Sequence, residues 1–243
     1  MDWNSRLPIK GLLFDYGGTI DTNGKHWAEV LWNAYVTQKI PVDKQAFREA
    51  YVYGERYLAT HPAIRPNDTF RDVLTAKLRL QIQWLIDHRF FTANAQSSAY
   101  SLAISNQCYT FARNVTRNSA QILQKLASRF PLGLVSNFYG NLKTVLNEFD
   151  LFPYFQSVVE SAAVNVRKPD PAIFDRGVKS LGAKPEEVVV IGDSYSKDIV
   201  PAHTLGCRTI WLRGLAWDEI DGGAVADAEI GDLNELPTMF GIK

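Results

Sequence analysis

Apolar, strand-like runs alternate with helix-like stretches through the second half of this chain, and this alternation constrains the fold more than any other feature. The strand-like runs lie at 9–15, 131–136, 156–160, 187–192 and 208–212. The helix-like stretches between the later runs lie at 140–149, 171–181 and 198–206. Strands that alternate with helices form parallel sheets with helices on both faces. The sequence therefore predicts an α/β fold built on a parallel sheet.

The first and second of these runs are separated by over a hundred residues that show no strand-like alternation. From Thr69 to His88, apolar residues recur at spacings of three and four, which is the pattern of one buried helical face. Helix-like patterns also cover 26–39, 43–60 and 96–112. We therefore expect a helical insertion after the first strand.

The charge balance of the chain excludes some classes of partner. Its 243 residues include 26 Lys and Arg and 26 Asp and Glu, so the formal net charge is zero. Without excess positive charge there is no electrostatic basis for binding nucleic acid or an anionic membrane. No run approaches the roughly 18 apolar residues of a membrane-spanning helix. Small molecules are therefore the expected partners, and the oligomeric state stays open.

Two further features favour a reducing, cytoplasmic location. The first ten residues include Asp2, Asn4 and Arg6 rather than a long apolar stretch, which argues against a secretory signal. Cys108 and Cys207 lie far apart without metal-ligand spacing, so neither a disulfide framework nor a zinc site is expected. We therefore expect the protein in the cytoplasm.

Polar residues of the kind that a phosphoryl site needs follow several of the apolar runs. In chain order they are Asp15 with the turn Gly17-Gly18-Thr19, then Ser136 and Asn137, then Lys168 before Pro169, then Asp193 and Asp198. Ligands of an open α/β sheet bind outside the carboxyl ends of the strands, so these residues are placed for chemistry. Each aspartate, serine and asparagine also has a structural alternative as an ordinary turn or helix-capping residue.

In this order along the chain, the aspartate, the serine, the lysine and the pair of aspartates resemble the four motifs of the haloacid dehalogenase superfamily. The resemblance covers essentially the whole chain. It implies a Rossmann-like core formed by 1–21 and 116–243, with a helical cap of the superfamily's first type at 22–115. It also implies a hydrolase in which Asp15 is the nucleophile and forms an aspartyl-phosphate.

The acidic motif residues are candidates for a Mg²⁺ site. Mg²⁺ prefers carboxylate oxygens, so Asp193 is a candidate ligand together with Asp15. The resemblance adds the backbone carbonyl of Gly17. Asp198 is expected beside the same metal, where it orients either a metal-bound water or the Lys168 ammonium.

The other motif residues are candidates for holding the phosphoryl group. Lys168 is expected to neutralise the charge that grows on the transferring group. Ser136 and Asn137 follow a buried strand and precede a helix, where a hydroxyl and free N–H groups can hold a phosphoryl oxygen. The N–H groups of the Gly17–Gly18 turn can form an anion-binding nest, which makes Gly18 a further candidate.

Gly17 departs from the usual Asp-x-Asp-Gly-Thr pattern of the superfamily. The second aspartate of that pattern protonates the leaving oxygen and later activates water, and glycine has no side chain to do either. The alternatives to a Mg²⁺-dependent phosphatase are therefore a dehalogenase-like enzyme that uses Asp15 on carbon, and a catalytically silent phosphometabolite-binding protein. Retention of Asp15, Lys168, Asp193 and Asp198 together argues against the silent protein. A phosphatase acting on a small phosphorylated metabolite is our leading prediction.

Other residues of the insertion are weaker candidates. His26 follows the first motif closely and is a candidate neighbour of the leaving group, whereas Asp21 is expected to be mainly structural. Trp27, Trp32 and Trp84 are expected to pack rather than to contact substrate. A phosphonate hydrolase would need a Schiff-base lysine in the cap, a role that the sequence does not assign to any of Lys25, Lys39, Lys44 and Lys77.

Overall fold

A computed structural model describes residues 8–92, 95–215 and 225–242, without the side chains of residues 95, 96 and 98. Its six strands are β1 (Gly11–Phe14), β2 (Leu132–Ser136), β3 (Ser157–Glu160), β4 (Val188–Gly192), β5 (Arg208–Leu212) and β6 (Ala228–Ile230). They form one parallel sheet in the order β3-β2-β1-β4-β5-β6. The predicted Rossmann-like α/β fold is confirmed. The sequence analysis missed β6, because three residues are too few to show alternation.

The described helices are α1 (Trp27–Thr37), α2 (Lys44–Thr60), α3 (Phe70–Asp87), α4 (Ala95–Ala127), α5 (Leu142–Glu148), α6 (Ser161–Val164), α7 (Ala172–Ser180), α8 (Val200–Leu205) and α9 (Glu235–Met239). The helices α1 to α4 form the predicted insertion between β1 and β2. The prediction of a helix over 96–112 was too short, and α6 and α9 were not predicted. None of the described helices combines the length and the apolar character needed to cross a membrane.

The strand β1 shows how both faces of the sheet become buried. Side chains alternate between the two faces of a strand. Leu12 and Phe14 belong to the apolar core on the face of α4 and α5, whereas Leu13 belongs to the core on the face of α7 and α8. All four residues of β1 are buried. An uninterrupted apolar run is therefore what a central parallel strand requires.

The helix α4 belongs to both the insertion and the layer that covers the sheet. Its 33 residues span ~50 Å at the rise of an α-helix. Ile104 packs in the apolar cluster with α1 and α3, and Leu126 lies in the same cluster with the sheet residue Leu12. The helix is continuous across residues 115 and 116, where the sequence analysis placed the boundary between core and cap.

The strand order fixes where a ligand can bind. Along the chain the sheet grows from β1 to β2 and β3 on one side, and then from β4 to β6 on the other. In a doubly wound sheet the crevice at such a reversal lies outside the carboxyl ends of the strands. Here that point lies beyond the ends of β1, β2 and β4, and the predicted motif residues other than Lys168 follow these strands.

Candidate active site

Three carboxylates meet at the carboxyl edge of the sheet. Asp15 directly follows β1, Asp193 directly follows β4, and Asp198 lies in the helical turn after β4. One carboxylate oxygen from each lies within 4.8 Å of the others. Because β1 and β4 are adjacent parallel strands, residues that follow them are brought together although 178 positions separate Asp15 from Asp193 in the numbering.

A buried lysine neutralises part of this negative charge. Lys168 Nζ lies 2.6 Å from Asp15 Oδ1 and 2.6 Å from Asp198 Oδ1, and only 2% of its side chain is exposed. Burial lowers the pKa of Lys168, but Asp15 and Asp198 outweigh this effect and hold the pKa above its ordinary value. The side chain is therefore an ammonium ion at any ordinary pH.

The carboxylates retain an excess of negative charge. Burial raises the pKa of Asp198 to about 6, although the Lys168 ammonium opposes the rise. Burial, and then the charges of Asp15 and Asp198, raise the pKa of Asp193 well above its ordinary value. Carboxylates that are crowded and desolvated in this way favour either a proton or a cation. The donor set therefore fits a divalent cation that prefers oxygen ligands.

Thr19 links two of the carboxylates, and the sequence analysis did not single it out. Its hydroxyl oxygen accepts a hydrogen bond from the Asp193 N–H at 3.0 Å. The same oxygen lies 3.2 Å from Asp15 Oδ2 and 3.0 Å from Asp193 Oδ1. The side chain is completely buried. Its position as the last residue of the first motif is the signal that could have identified it.

The two glycines of the first turn differ in their surroundings. Gly17 has φ −82° and ψ 111°, and apart from the glycine and its two chain neighbours no atom of the described residues lies within 4 Å of where its Cβ would be. Gly18 has φ +100°, and a Cβ there would lie 2.3 Å from Asp193 Oδ2. The turn therefore needs glycine at 18, whereas position 17 has room for a side chain.

The Gly18 N–H is not available as the predicted anion donor. It donates a 2.7 Å hydrogen bond to Asp21 Oδ1, and the indole N–H of Trp27 donates to Asp21 Oδ2 at 2.8 Å. Burial raises the pKa of Asp21 to about 7, although both hydrogen bonds oppose the rise. The expectation that this N–H forms a free nest is therefore corrected: Asp21 occupies it and joins the turn to the start of α1.

Ser136 and Asn137 follow β2 and have different partners. The Ser136 hydroxyl donates a hydrogen bond of 3.4 Å to Asp15 Oδ1. The Asn137 side chain accepts from the Lys168 N–H at 2.9 Å and donates to the Lys168 carbonyl at 3.1 Å. The amide of Asn137 therefore positions the backbone of Lys168, and its backbone N–H is the group that follows β2 toward a phosphoryl oxygen.

A cavity of about 1230 Å³ opens above Asp15. Its lining includes Asp15, Gly17, Ser136, Asn137, Lys168, Asp193 and Asp198 from the sheet edge, and His26, Trp27, Tyr51, Glu55 and Lys77 from the insertion. His26 Nδ1 accepts the Ala28 N–H at 3.2 Å and so caps α1. Predicted site residues from all four motifs therefore share one cavity, and His26 lines it too.

The sequence analysis could not identify most of the insertion residues that line the cavity. Tyr51, Glu55 and Lys77 lie on helical faces that carry no motif, and only the packing of α2 and α3 brings them to the cavity that Asp15 also lines. Trp27 was expected only to pack, yet its N–H binds Asp21 and it lines the cavity. Trp32 does pack, against Phe47 at a ring distance of 5.3 Å.

A buried lysine and three aspartates therefore lie together at one edge of a parallel sheet. The sequence pattern of the haloacid dehalogenase-like hydrolases matches residues 9–206. The chain belongs to this family. The predicted family and the prediction of a hydrolase are therefore confirmed.

Curated relatives of this chain include several phosphatases. It is 28% identical over 143 residues to the glyceraldehyde 3-phosphate phosphatase of Pyrococcus furiosus, which covers 57% of this chain and 58% of that protein. It is 37% identical over 84 residues to the phosphoserine phosphatase of Thermus thermophilus, covering 34% and 33%. The chain thus spans less than two thirds of these relatives. The phosphoglycolate phosphatase of Yersinia pseudotuberculosis is 27% identical over 243 residues, covering 96% and 94%.

Solved structures share the fold over nearly the whole chain. The magnesium-bound HAD hydrolase YfnB of Bacillus subtilis has a TM-score of 0.60 at 20% identity, covering 97% of this chain and 100% of its own. A dehalogenase has a TM-score of 0.66 at 14% identity, covering 96% and 98%. At these identities the likeness shows the fold alone, which phosphatases and dehalogenases have in common.

Proposed function

We propose that this protein is a Mg²⁺-dependent phosphoric monoester hydrolase that acts on a small phosphorylated metabolite through an aspartyl-phosphate on Asp15. The observation that carries the proposal is the position of Asp15 in a large polar cavity, paired with a buried ammonium and next to two further carboxylates. The relatives that are phosphatases support the same reaction class.

Asp15 and Lys168 act together in the first step. A carboxylate oxygen of Asp15 forms a bond to phosphorus while the bond from phosphorus to the leaving oxygen breaks. Lys168 orients Asp15 and neutralises charge on the transferring group, and Ser136 contacts a phosphoryl oxygen. The leaving oxygen takes a proton from water. Attack of a second water on phosphorus then releases phosphate and restores Asp15.

Asp15, Asp193 and the carbonyl of Gly17 hold Mg²⁺, with Asp198 beside them. Support comes from the raised pKa values of Asp193 and Asp198, which favour binding a cation between these groups. When bound, the ion supplies positive charge to the phosphoryl oxygens and aligns them with the nucleophile. Asp198 contributes indirectly as well, because it pairs with Lys168 at 2.6 Å.

The proposed core is formed by 1–21 and 116–243, and the proposed cap by 22–115. Support for a cap comes from the cavity, since its lining combines strand-end residues with residues of α1, α2 and α3. The cap encloses the leaving group and limits the access of bulk water.

Lys77 does not suit the Schiff-base role that one alternative, a phosphonate hydrolase, would need. A lysine that forms a Schiff base must lose its proton readily, which requires a lowered pKa. Burial lowers the pKa of Lys77, but Glu55 outweighs burial and holds the pKa well above its ordinary value. Lys77 therefore stays protonated and is a poor nucleophile.

The test is phosphate release from phosphorylated sugars, acids and nucleotides, with and without Mg²⁺. We expect Mg²⁺-dependent release by the parent protein and none by Asp15→Asn, because an amide keeps the shape but cannot attack phosphorus. The exposed Asp150→Asn is the matched control, which should retain the parent rate.

Three outcomes would contradict the proposal. Asp15→Asn could retain activity within a few fold of the parent at equal thermal stability. The parent could release halide from a haloacid but no phosphate from any compound, which would identify a dehalogenase. It could also bind phosphorylated metabolites without turnover, which would identify a silent binding protein.

A further inference from the structure

Glu55, Lys77 and Tyr139 form a polar cluster in the cavity wall that the proposed reaction does not use. Lys77 Nζ lies 2.8 Å from Glu55 Oε1. The Tyr139 hydroxyl donates a 2.9 Å hydrogen bond to Glu55 Oε2. Glu55 lies on α2, Lys77 on α3, and Tyr139 in the loop after β2, three residues beyond Ser136. The cluster thus joins the insertion to the loop that begins directly after Ser136, the residue of β2 that contacts Asp15.

The cluster contains one negative and one positive charge, so its net charge is zero. Burial raises the pKa of the Glu55 carboxyl, but Lys77 outweighs this effect and holds the pKa below its ordinary value. Burial lowers the pKa of Lys77, but the charge of Glu55 outweighs this effect and raises the pKa, so Lys77 is protonated. Burial, and then Glu55, raise the pKa of Tyr139 above its ordinary value, so its hydroxyl keeps its proton. At neutral pH the cluster is therefore one carboxylate, one ammonium and one phenol.

The cluster faces the same space as the reacting carboxylates. All three residues line the cavity above Asp15, and each side chain is only partly buried. Tyr51 lines the cavity too. Burial, and then the charge of Glu55, raise the pKa of the Tyr51 hydroxyl, and the charge of Asp193 acts in the same direction, so Tyr51 lies within range of both groups. Because Asp15 and the cluster line one cavity, the leaving group of a phosphoryl group held at Asp15 shares that space with the cluster.

We propose that Glu55, Lys77 and Tyr139 bind the leaving group and select an uncharged, hydroxyl-bearing one, a polyol or a sugar, over one that carries a carboxylate. This inference rests on the proposed phosphatase function. A hydroxyl both donates and accepts, so it can bridge the carboxylate and the ammonium. A substrate carboxylate can use Lys77 only at the cost of repulsion from Glu55, which already neutralises that lysine.

The exposed cationic residues of the lining do not reverse this preference. They are Lys44, Arg48, Arg56, Arg167, Lys197 and Arg213. Salt screens the attraction between solvent-exposed charges, whereas charges inside the cavity are screened less. The partly buried pair of Glu55 and Lys77 therefore dominates the choice between charged and uncharged leaving groups.

Glycerol 3-phosphate and 3-phosphoglycerate form a matched pair of probes, because a hydroxymethyl group in one replaces the carboxylate of the other. We measure kcat/KM for both, and for a compound that is not hydrolysed we measure its Ki against phenyl phosphate. The parent protein should prefer glycerol 3-phosphate by about tenfold or more, the range in which unpaired polar groups discriminate.

Glu55→Gln keeps the size of the side chain and an acceptor for Tyr139, but leaves the Lys77 charge uncompensated. The preference should then shift by about tenfold or more toward 3-phosphoglycerate. Lys77→Gln should shift it the opposite way. Glu49→Gln is the control, because Glu49 also lies on α2 but is exposed and is not part of the cavity lining. Its effect on the preference should stay below about twofold.

Two results would overturn the inference and leave the phosphatase activity standing. The parent protein could fail to discriminate between the two probes, or Glu55→Gln could leave the preference unchanged. If Glu55→Gln does not fold by circular dichroism, the shift in Lys77→Gln decides. If the parent protein does not hydrolyse even phenyl phosphate with Mg²⁺, the proposed function fails. Calorimetric affinities of the two probes for the parent and Glu55→Gln then test the cluster, and equal affinities overturn it.

Discussion

Gly17 and Gly18 are neighbours in the active-site turn with opposite steric constraints. Gly18 has φ +100°, which side chains disfavour, and its Cα faces Asp193. Gly17 has an extended backbone and open space beside it. The backbone conformation and the close Asp193 side chain therefore require glycine at position 18. At position 17 the backbone and its surroundings tolerate other residues.

Gly18→Ala should destabilise the protein, whereas Gly17→Ala should not. A positive φ costs a residue with a side chain about 1–3 kcal/mol, and the added methyl group would displace the Asp193 carboxylate. Gly17→Ala should change the free energy of unfolding by less than about 0.5 kcal/mol. Urea denaturation of both variants measures the difference. Equal losses of stability would contradict the backbone conformations of this turn.

Gly17→Asp should supply a missing proton donor. If the missing acid limits the rate, the parent protein should cleave an aryl phosphate relatively better than an alkyl phosphate, because an aryl leaving group needs little protonation. Proton transfer by a positioned side chain contributes about 10²–10⁴-fold, so the aspartate should narrow the gap by about tenfold or more.

The comparison is made at saturating Mg²⁺, with Gly17→Asn as the control of equal size that cannot donate a proton. The steric surroundings of Gly17 favour a folded variant. A parent protein that already prefers alkyl phosphates would show that another group donates the proton. His26, which lines the cavity, would then be the next residue to replace.

At the scale of elements, α4 is the helix on which the arrangement of the insertion depends. Its first half packs on α1 and α3, and residues of its second half lie in the apolar cluster that covers β1. The exposed and buried positions along it follow the helical repeat, with Leu126 fully buried and Leu102 61% exposed.

Leu126→Ala should cost about 2–5 kcal/mol of unfolding free energy, because it opens a cavity in a packed core. Leu102→Ala, on the same helix, should cost less than about 0.5 kcal/mol. Chemical denaturation of both variants tests whether the helix continues past the predicted end at 112 and packs there. A small effect at Leu126 would contradict the position of the second half of α4.

The sequence predicted the elements and the sheet-edge residues better than it predicted the cavity wall. Asp15, Ser136 and Asp193 could be placed together because each follows an apolar strand, and parallel strands end at one edge. Glu55 and Lys77 could not be placed at the site in this way. Their positions along α2 and α3 predict only that each lies on the solvent-facing side of its own helix. Which solvent-facing side becomes a cavity wall is decided by how the helices pack over the sheet.

At the scale of the whole molecule, the buried carboxyl groups tie stability to pH. The folded protein holds the pKa of Asp198 at about 6 and that of Asp21 at about 7, against an ordinary value of 3.8. At a pH between the ordinary pKa and the raised pKa of each group, the folded state keeps a proton that the unfolded chain has lost. Raising the pH through this window therefore removes stability from the folded state.

The melting temperature without divalent cations should fall by several degrees between pH 5.5 and 7.5, since each kcal/mol corresponds to about 2–4 °C for a chain of this size. Saturating Mg²⁺ should raise the melting temperature more at pH 7.5 than at pH 5.5, because the carboxylates are ionised at the higher pH and bind the cation. Scanning calorimetry at both pH values measures the two effects.

Asp193→Ala removes one carboxylate of the cluster and should lose most of the rise produced by Mg²⁺. Asp150→Asn, at the exposed surface, should respond as the parent protein does. A melting temperature that is independent of both pH and Mg²⁺ would mean that the carboxylates neither retain protons nor bind the cation.

The continuity of α4 also has a consequence for how the protein unfolds. Separate melting of the insertion would require breaking a 33-residue helix near its middle and dividing one apolar cluster that includes Leu31, Ile104 and Leu12. Both parts are therefore expected to lose their structure in a single cooperative transition, with equal calorimetric and van't Hoff enthalpies. Residues 22–115 expressed alone should accordingly fail to fold, because the last part of α4 and the sheet residues that share its apolar cluster would be missing.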